Sequence, residues 1–304
     1  MRKLLVVALV LFMAGSAFAW EINTEEEKGE AGGAAPYLKT GVGSRALAMG
    51  SAFTAVANDA TATYWNPAGI TQLEKMQVAL VYSKMSLDRS YNFVSFVMPK
   101  QLFLIDALGA SVILSGVKDI PGYDVNNYPT EEFNETNLAI LVSLAKKIDE
   151  EISAGLNLKV LRNSLKDSSA FGLGFDIGAL AKASEKLNIG IMLQDVYTGL
   201  RWESEHTETV PLVIKAGAAY HLLKNNRLKL CADIEKFATR KRPKLNFGAE
   251  LILPYNIAIR PGLSDNFLTA GFGCKVSMFS LDYCYRADKL KSGDTHQITV
   301  MISF

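Results

Sequence analysis

The chain has 304 residues, 49% of them hydrophobic, with 32 Lys and Arg against 31 Asp and Glu. A formal charge of +1 gives no electrostatic ground for binding nucleic acid. Cys231, Cys274 and Cys284 are an odd number without C-x-x-C spacing, so neither a disulfide framework nor a thiolate metal site can be read from them.

Residues 1–19 read as an export signal. Arg2 and Lys3 supply the positive start, Leu4 to Phe12 the apolar stretch, and Ala17-Phe18-Ala19 an A-x-A cleavage site. The apolar stretch is shorter than the roughly 20 residues of a spanning helix. Removing Arg2 and Lys3 leaves 30 basic and 31 acidic residues, a net of −1. Residues 20–35, "WEINTEEEKGEAGGAA", are acidic and Gly/Ala-rich and are expected to be a flexible lead-in.

The segment 36–74 is unusual. From Gly41 it reads "GVGSRALAMGSAFTAVANDATATYWNPAGITQ", crowded with Ala, Gly, Ser and Thr and nearly free of charge. Small residues let backbone approach backbone, and the segment is too polar to span a membrane. Such a composition is expected of a chain that is enclosed by something else.

From residue 75 onward the pattern is alternation with period two, the mark of strands with two unlike faces. In "NRLKLCADIEK", Leu228, Leu230, Ala232 and Ile234 fall on one face and Lys229, Cys231, Asp233 and Glu235 on the other. Fourteen strands are expected, near 75–85, 91–99, 107–116, 136–146, 151–161, 169–182, 187–196, 211–221, 226–236, 244–253, 256–263, 269–277, 278–287 and 295–304. Their number is even and their length, about ten residues, suits tilted strands that cross a bilayer. Tight joins such as 183–186 alternate with long polar ones at 117–134 and 197–210, the short-periplasmic, long-extracellular habit of outer-membrane barrels. The chain ends on Phe304 after the alternating run "HQITVMISF", which resembles the signal read by barrel-assembly machinery. The expected fold class is all-β: a transmembrane antiparallel up-and-down β-barrel of about 14 strands over 75–304, with a small N-terminal plug over 36–74. The expected location is the bacterial outer membrane, in contact with its lipid.

A barrel of this size is too wide for its own side chains to fill, which gives the small-residue segment its place. By parity the inward positions include Gly109, Gly155, Gly172, Gly174, Gly178, Gly190, Gly217, Gly248, Gly271 and Gly273, where a second backbone can come close. Parity also places an apolar wall of Val81, Val94, Phe96, Met98, Ile113 and Leu141 opposite a charged one. The charged wall holds Lys229, Asp233, Glu235, Glu250, Arg260, Lys275, Asp282 and Arg286. A simple diffusion pore is polar all round, so the apolar wall is a candidate binding surface for a hydrophobic or amphipathic molecule. The bland alternatives are that the apolar wall packs on the plug and that the charges pair with one another.

Other chemistry finds little support. "GVGSRA" fits the dinucleotide pattern formally, but that pattern carries meaning only between a strand and a helix of a βαβ unit, and here it follows an acidic, Gly-rich lead-in within a chain expected to be exported. Only His206, His221 and His296 are available to a hydrolase, and no Ser/His pairing is legible. No cluster has metal-ligand spacing. No catalysis, cofactor or metal is expected. Arg240-Lys241-Arg242 is expected in an outer loop facing solvent or lipopolysaccharide.

The N-terminal segment resembles the signature of the PorV/PorQ group of outer-membrane proteins, relatives of the FadL (OMPP1/TodX) transporters. The residues that carry the resemblance are Gly41, Gly43, Ser44, Arg45, Ala46, Met49, Gly50, Ala52, Phe53, Asp59, Ala60, Asn66, Pro67, Ala68 and Gly69. Ser51 departs from the pattern, where a glycine is expected. The resemblance implies a fourteen-stranded barrel with an N-terminal hatch and passage of hydrophobic small molecules. The alternative it implies is a docking or accessory barrel of type IX protein secretion, whose partner would be a secretion-system protein held by the loops 117–134 and 197–210.

Overall fold

A computed structural model describes residues 33–86, 88–223, 227–265, 267–287 and 294–304. The expected export signal, and all but the last three residues of the lead-in, lie outside these. The strands are β1 (Gln77–Lys84), β2 (Arg89–Met98), β3 (Ala107–Ile120), β4 (Phe133–Lys147), β5 (Ile152–Leu165), β6 (Ser168–Lys182) and β7 (Leu187–Trp202). They continue with β8 (Thr207–Thr209), β9 (Val213–Leu222), β10 (Leu228–Phe237), β11 (Lys244–Ile252), β12 (Ile257–Ser264), β13 (Phe267–Val276), β14 (Phe279–Arg286) and β15 (Thr295–Ser303).

Each strand pairs antiparallel with its neighbours, and β1 closes on β15 from Gln77↔Ser303 to Lys84↔His296. Among the described residues the short β8 pairs only with the end of β7, while β7 also pairs with β9, so the closed ring has fourteen strands. Closure leaves no sheet edge in the ring, the condition for a sheet to stand in lipid. Among the described residues no helix is long and apolar enough to cross a membrane.

Alternation decides the two faces. In β1, Ala79, Val81 and Ser83 are buried while Leu80, Tyr82 and Lys84 are exposed. The exposed outer face carries Leu80, Val94, Phe96, Val112, Ile140, Val160, Phe247, Ile259 and Phe272 around the ring. A continuous apolar belt of that extent has its natural solvent in hydrocarbon, not water.

The joins 148–151, 183–186 and 277–278 are tight and lie at one mouth; 121–132, 203–206 and 238–243 lie at the other. The long join expected at 197–210 is different in the structure. Residues 197–202 continue β7 and fold back through β8, because Asp195 (φ 64) and Tyr197 (φ 46) form bulges that shift the β6–β7 register and carry the strand beyond the end of β9 pairing at Gln194↔Val213. The join expected at 117–134 shortens to 121–132, since β3 and β4 run on past a register shift between Val117 and Ile120.

Inside the ring lies the segment from Ala35 to Leu73, almost all of it buried. It contains the short helices Ser44–Ala48 and Ala62–Trp65 and the 3-10 turns Pro36–Lys39 and Pro67–Gln72. The second turn begins with Pro67 and is capped by Asn66, whose Oδ1 accepts from the Ala68 N–H at 3.2 Å. The segment is threaded. Gly33 lies against Pro211 at the long-join mouth, whereas Thr71 bonds Ser153 beside the tight β4–β5 join, and the chain then enters β1.

Candidate functional site

The contact between the inner wall and the enclosed segment is the candidate site. Backbone meets backbone there. A Cβ on Gly155 would stand 2.3 Å from the Ala68 nitrogen, one on Gly190 2.3 Å from the Thr54 oxygen, and one on Gly248 2.3 Å from the Met49 oxygen. Gly109, Gly178, Gly217 and Gly271 face side-chain atoms of Thr63, Asn66, Thr54 and Ala48, although Asp233 of the wall is nearer to Gly217 and the Tyr283 carbonyl nearer to Gly271. Gly172, Gly174 and Gly273 instead meet wall residues: Gly199, Thr198, and Asp282 with Arg260. Gly262 shares the inward parity of Arg260 and is a further close approach; a Cβ there would stand 2.1 Å from the Gly50 nitrogen. Gly50 itself has φ +64, and Ser51 after it has φ 66. That left-handed conformation is the one a glycine adopts without strain, which accounts for the expected glycine where Ser51 stands.

Side chains from the wall satisfy the segment's backbone. Asp233 Oδ2 accepts from the N–H groups of Phe53 and Thr54 at 3.0 and 2.9 Å. Thr299 Oγ1 accepts from Ser44 N–H at 2.8 Å, and Thr269 Oγ1 donates to the Ala48 carbonyl at 2.8 Å. Asn157 donates to the Thr63 carbonyl at 2.8 Å, and Asn66 from the segment donates to the Ala179 carbonyl at 3.0 Å. Within the segment, Trp65 Nε1 donates to the Val42 carbonyl at 2.8 Å and Gly41 N–H to Tyr64 Oη at 3.1 Å. Buried backbone polar groups must find partners, and here an irregular chain finds them on a barrel wall.

One ion cluster joins segment to wall. Arg45 grips Glu250 with Nε–Oε2 at 2.7 Å and Nη2–Oε1 at 2.9 Å, and reaches Asp59 at 2.9 Å. Glu250 also takes Lys229 at 3.1 Å and Arg260 at 2.8 Å, and Arg260 takes Asp282 at 2.6 Å. Three cations and three carboxylates therefore balance, the bidentate Arg45–Glu250 pair being the bond that crosses from segment to wall. A second cluster lies within the wall: Lys159 bonds Asp176 at 2.5 Å and also bonds Asp195. The β7 bulge turns Gln194 and Asp195 both inward, and Gln194 donates to the Leu38 carbonyl at 3.2 Å.

The motif residues Gly41, Gly43, Ser44, Arg45, Ala46, Met49, Gly50, Asp59, Asn66, Pro67, Ala68 and Gly69 are thus brought together inside the ring. Of the expected apolar wall, Val81, Ile113 and Leu141 face inward and belong to the same buried cluster as Ala62, Tyr64 and Trp65. Val94, Phe96 and Met98 do not line the lumen. Val94 and Phe96 are 48% and 38% exposed on the outer face, and Met98 shares their parity; the inner face of β2 is Tyr91, Phe93, Ser95 and Val97. Of the charged wall, Lys275 is exposed near the tight-join end, and Arg286 donates to the Thr40 carbonyl at 3.4 Å. Phe304 points outward at the same end, with its N–H donating to the Met76 carbonyl at 3.0 Å. His296 is also outward, with Nδ1 2.7 Å from Tyr283 Oη.

Residues 11–112 match the family described as Uncharacterised protein family (UPF0164), a stretch that ends within β3. No curated protein matches the chain. Among solved structures, the CymD monoaromatic hydrocarbon channel superposes with a TM-score of 0.60 at 16% identity, covering 86% of this chain and 96% of that one. The fold is that of the FadL-type outer-membrane channels. The toluene transporter TodX of Pseudomonas putida gives 0.57 at 12% identity over 86% and 97% of the two chains. A FadL homologue of Pseudomonas aeruginosa gives 0.56 at 13% over 90% and 98%.

Proposed function

We propose that the protein is an outer-membrane channel for hydrophobic or amphipathic small molecules, closed by residues 36–74 acting as a plug. The observation that carries this reading is that the lumen is filled by one continuous N-terminal segment, seated through glycines and side-chain bonds, rather than by the wall's own side chains. A filler of that kind can leave as a unit. Its departure would bare an apolar strip of Val81, Tyr91, Phe93, Val97, Ile113 and Leu141, wide enough in chemistry for an acyl or aromatic solute. The fold likeness to channels described as carrying monoaromatic hydrocarbons or toluene supports the substrate class. The apolar belt and the unequal joins support the outer membrane, with the longer joins outside. Export through residues 1–19 and assembly through Phe304 belong to the same proposal. No bond is made or broken in it; the plug moves and the solute passes.

The test is to tie the plug to the wall. Ser44 Oγ and Thr299 Oγ1 lie 3.0 Å apart, so Ser44→Cys with Thr299→Cys, in a background with the native cysteines changed to serine, should form a disulfide. Uptake of labelled toluene or a labelled long-chain acid by cells should fall to that of cells lacking the protein, and return on reduction. Equal uptake by the oxidised and reduced forms would reject the plug as the gate.

A further inference from the structure

We propose that the acidic stretch 20–32 of this chain folds back at the long-join mouth and docks on the basic join between β10 and β11, latching that end of the plug. From Lys236 to Lys244, five of nine residues are Lys or Arg and none is acidic. The join is built as a platform. Arg240 bonds Asp265 at 3.2 Å and stands 5.9 Å from the Phe237 ring centre, Lys236 Nζ donates to the Arg240 carbonyl, and Lys244 lies 3.9 Å from Glu235. Lys39 of the enclosed segment stands 5.6 Å from the same Phe237 ring, and Lys215 is paired with Glu235 across the β9–β10 ladder. With the exposed Lys241 and Arg242, seven cations surround two carboxylates. The neighbouring join after β14 does not cancel this excess, since residues 287–294 carry Lys289 and Lys291 against Asp288 and Asp294.

The place where the enclosed chain leaves the lumen says what covers this patch. A Cβ on Gly33, the first described residue, would stand 2.2 Å from Pro211 Cγ, and the next residue, Leu212, accepts from the Ala238 N–H at 3.1 Å. The exit therefore adjoins the basic join. On the other flank of Pro211, the β7–β8 hairpin carries Glu203, Glu205 and Glu208 against Arg201. Residues 20–32 read "WEINTEEEKGEAG", five Glu and one Lys. A tether of that sign is repelled by one flank and drawn to the other. Glu30 and Glu25 are three and eight residues from Gly33, a reach of roughly 10 and 27 Å at about 3.4 Å per residue, so the join sees them at an effective concentration of about millimolar. Exposed ion pairs are individually weak, so the contact is collective and screened by salt. Docked, the stretch holds Ala35 to Lys39 against withdrawal through this mouth. The contact needs neither a solute nor a moving plug, so it stands or falls apart from the transport reading.

The test uses the full exported chain in zwitterionic nanodiscs, with the native cysteines changed to serine. Thr24→Cys is combined either with Pro243→Cys on the basic join or with Ser204→Cys on the acidic hairpin, both exposed positions. In 10 mM NaCl, where the Debye length is about 30 Å, a short bismaleimide should link 24 to 243 about tenfold faster than 24 to 204. In 0.5 M NaCl, where it is about 4 Å, the two rates should converge. Glu25→Lys/Glu26→Lys/Glu27→Lys should turn the preference toward 204, and adding Lys241→Glu/Arg242→Glu should restore it toward 243. The heat-dependent gel shift of a folded barrel verifies that the ring is intact in each variant. The proposal is overturned by equal rates or a faster link to 204 at low salt, or by a preference for 243 that survives either 0.5 M NaCl or the three-glutamate reversal.

Discussion

Arg45→Ala removes the ion pair that crosses from the enclosed segment to the wall. Glu250 is buried, and on losing Arg45 it keeps Lys229 at 3.1 Å and Arg260 at 2.8 Å. Asp59 keeps its bonds to Thr61. Breaking a buried pair by removing one partner costs about 3–5 kcal/mol, and the remaining cations put this case near the low end, about 3 kcal/mol. The loss falls on the seated state alone, because the unseated segment has no Glu250 to grip. At 1.4 kcal/mol per factor of ten, the ratio of unseated to seated protein rises roughly a hundredfold. Single-protein recordings in planar bilayers read that ratio as the fraction of time spent conducting. Arg45→Lys keeps the charge without the two-pronged geometry and should fall between. Combining Arg45→Ala with Glu250→Gln should cost less than the sum of the two, the sign of one shared interaction. If the variant folds normally and conducts no more often than the parent, Arg45 does not hold the plug and the reasoning fails.

Gly155→Val would drive a side chain into the Ala68 nitrogen, so limited proteolysis should cut within 36–74 at least about tenfold faster while the ring stays folded; unchanged cleavage would mean the segment can shift aside. Phe96→Arg puts a charge on the lipid face and should lower stability in vesicles by about 2–4 kcal/mol, measured by urea unfolding; an unchanged midpoint would contradict the outward placement. Pro36→Cys, exposed at the long-join mouth, should react with a membrane-impermeant maleimide on intact cells, and failure to label would reverse the orientation of the barrel. Lys159→Met leaves Asp176 and Asp195 without their shared cation and should destabilise the ring by about 3–5 kcal/mol in the same unfolding assay, with no loss if these carboxylates are compensated elsewhere.

The strands are legible in the sequence because lipid outside and mixed polarity inside give most of them two unlike faces, as in β1 and β10. Parity is illegible in β2 for a physical reason. Its inner face packs on the enclosed segment and its outer face on lipid, so Tyr91, Phe93 and Val97 on one side and Val94, Phe96 and Met98 on the other are equally apolar. Alternation carries no sign when both sides are hydrophobic. The β7 bulges are likewise hidden, since spacing does not report an extra residue, and with them go Asp195 and the Lys159 cluster. Charges in β10 to β14 fall on the correct face because a charge in a barrel wall has only one side to face. The partners of those charges across the lumen, Arg45 above all, require the fold.

The two halves of the wall answer the loss of the plug differently. On the charged half, Lys229, Glu250, Arg260 and Asp282 remain bonded to one another, and Lys159 remains between its two aspartates. On the other half, Val81, Tyr91, Phe93, Val97, Ile113 and Leu141 are buried now and would meet water. At roughly 25 cal/mol per Å², partial exposure of six such side chains costs on the order of 5 kcal/mol or more. Apolar exposure therefore opposes opening even after Arg45 is gone, and only an apolar occupant relieves it. Toluene added to the bilayer should raise the open fraction of Arg45→Ala beyond its own increase, by an amount that grows with toluene concentration until the strip is filled. An open fraction that ignores toluene would mean that the plug leaves without exchanging places with its cargo, and the apolar half of the wall would then be packing surface alone.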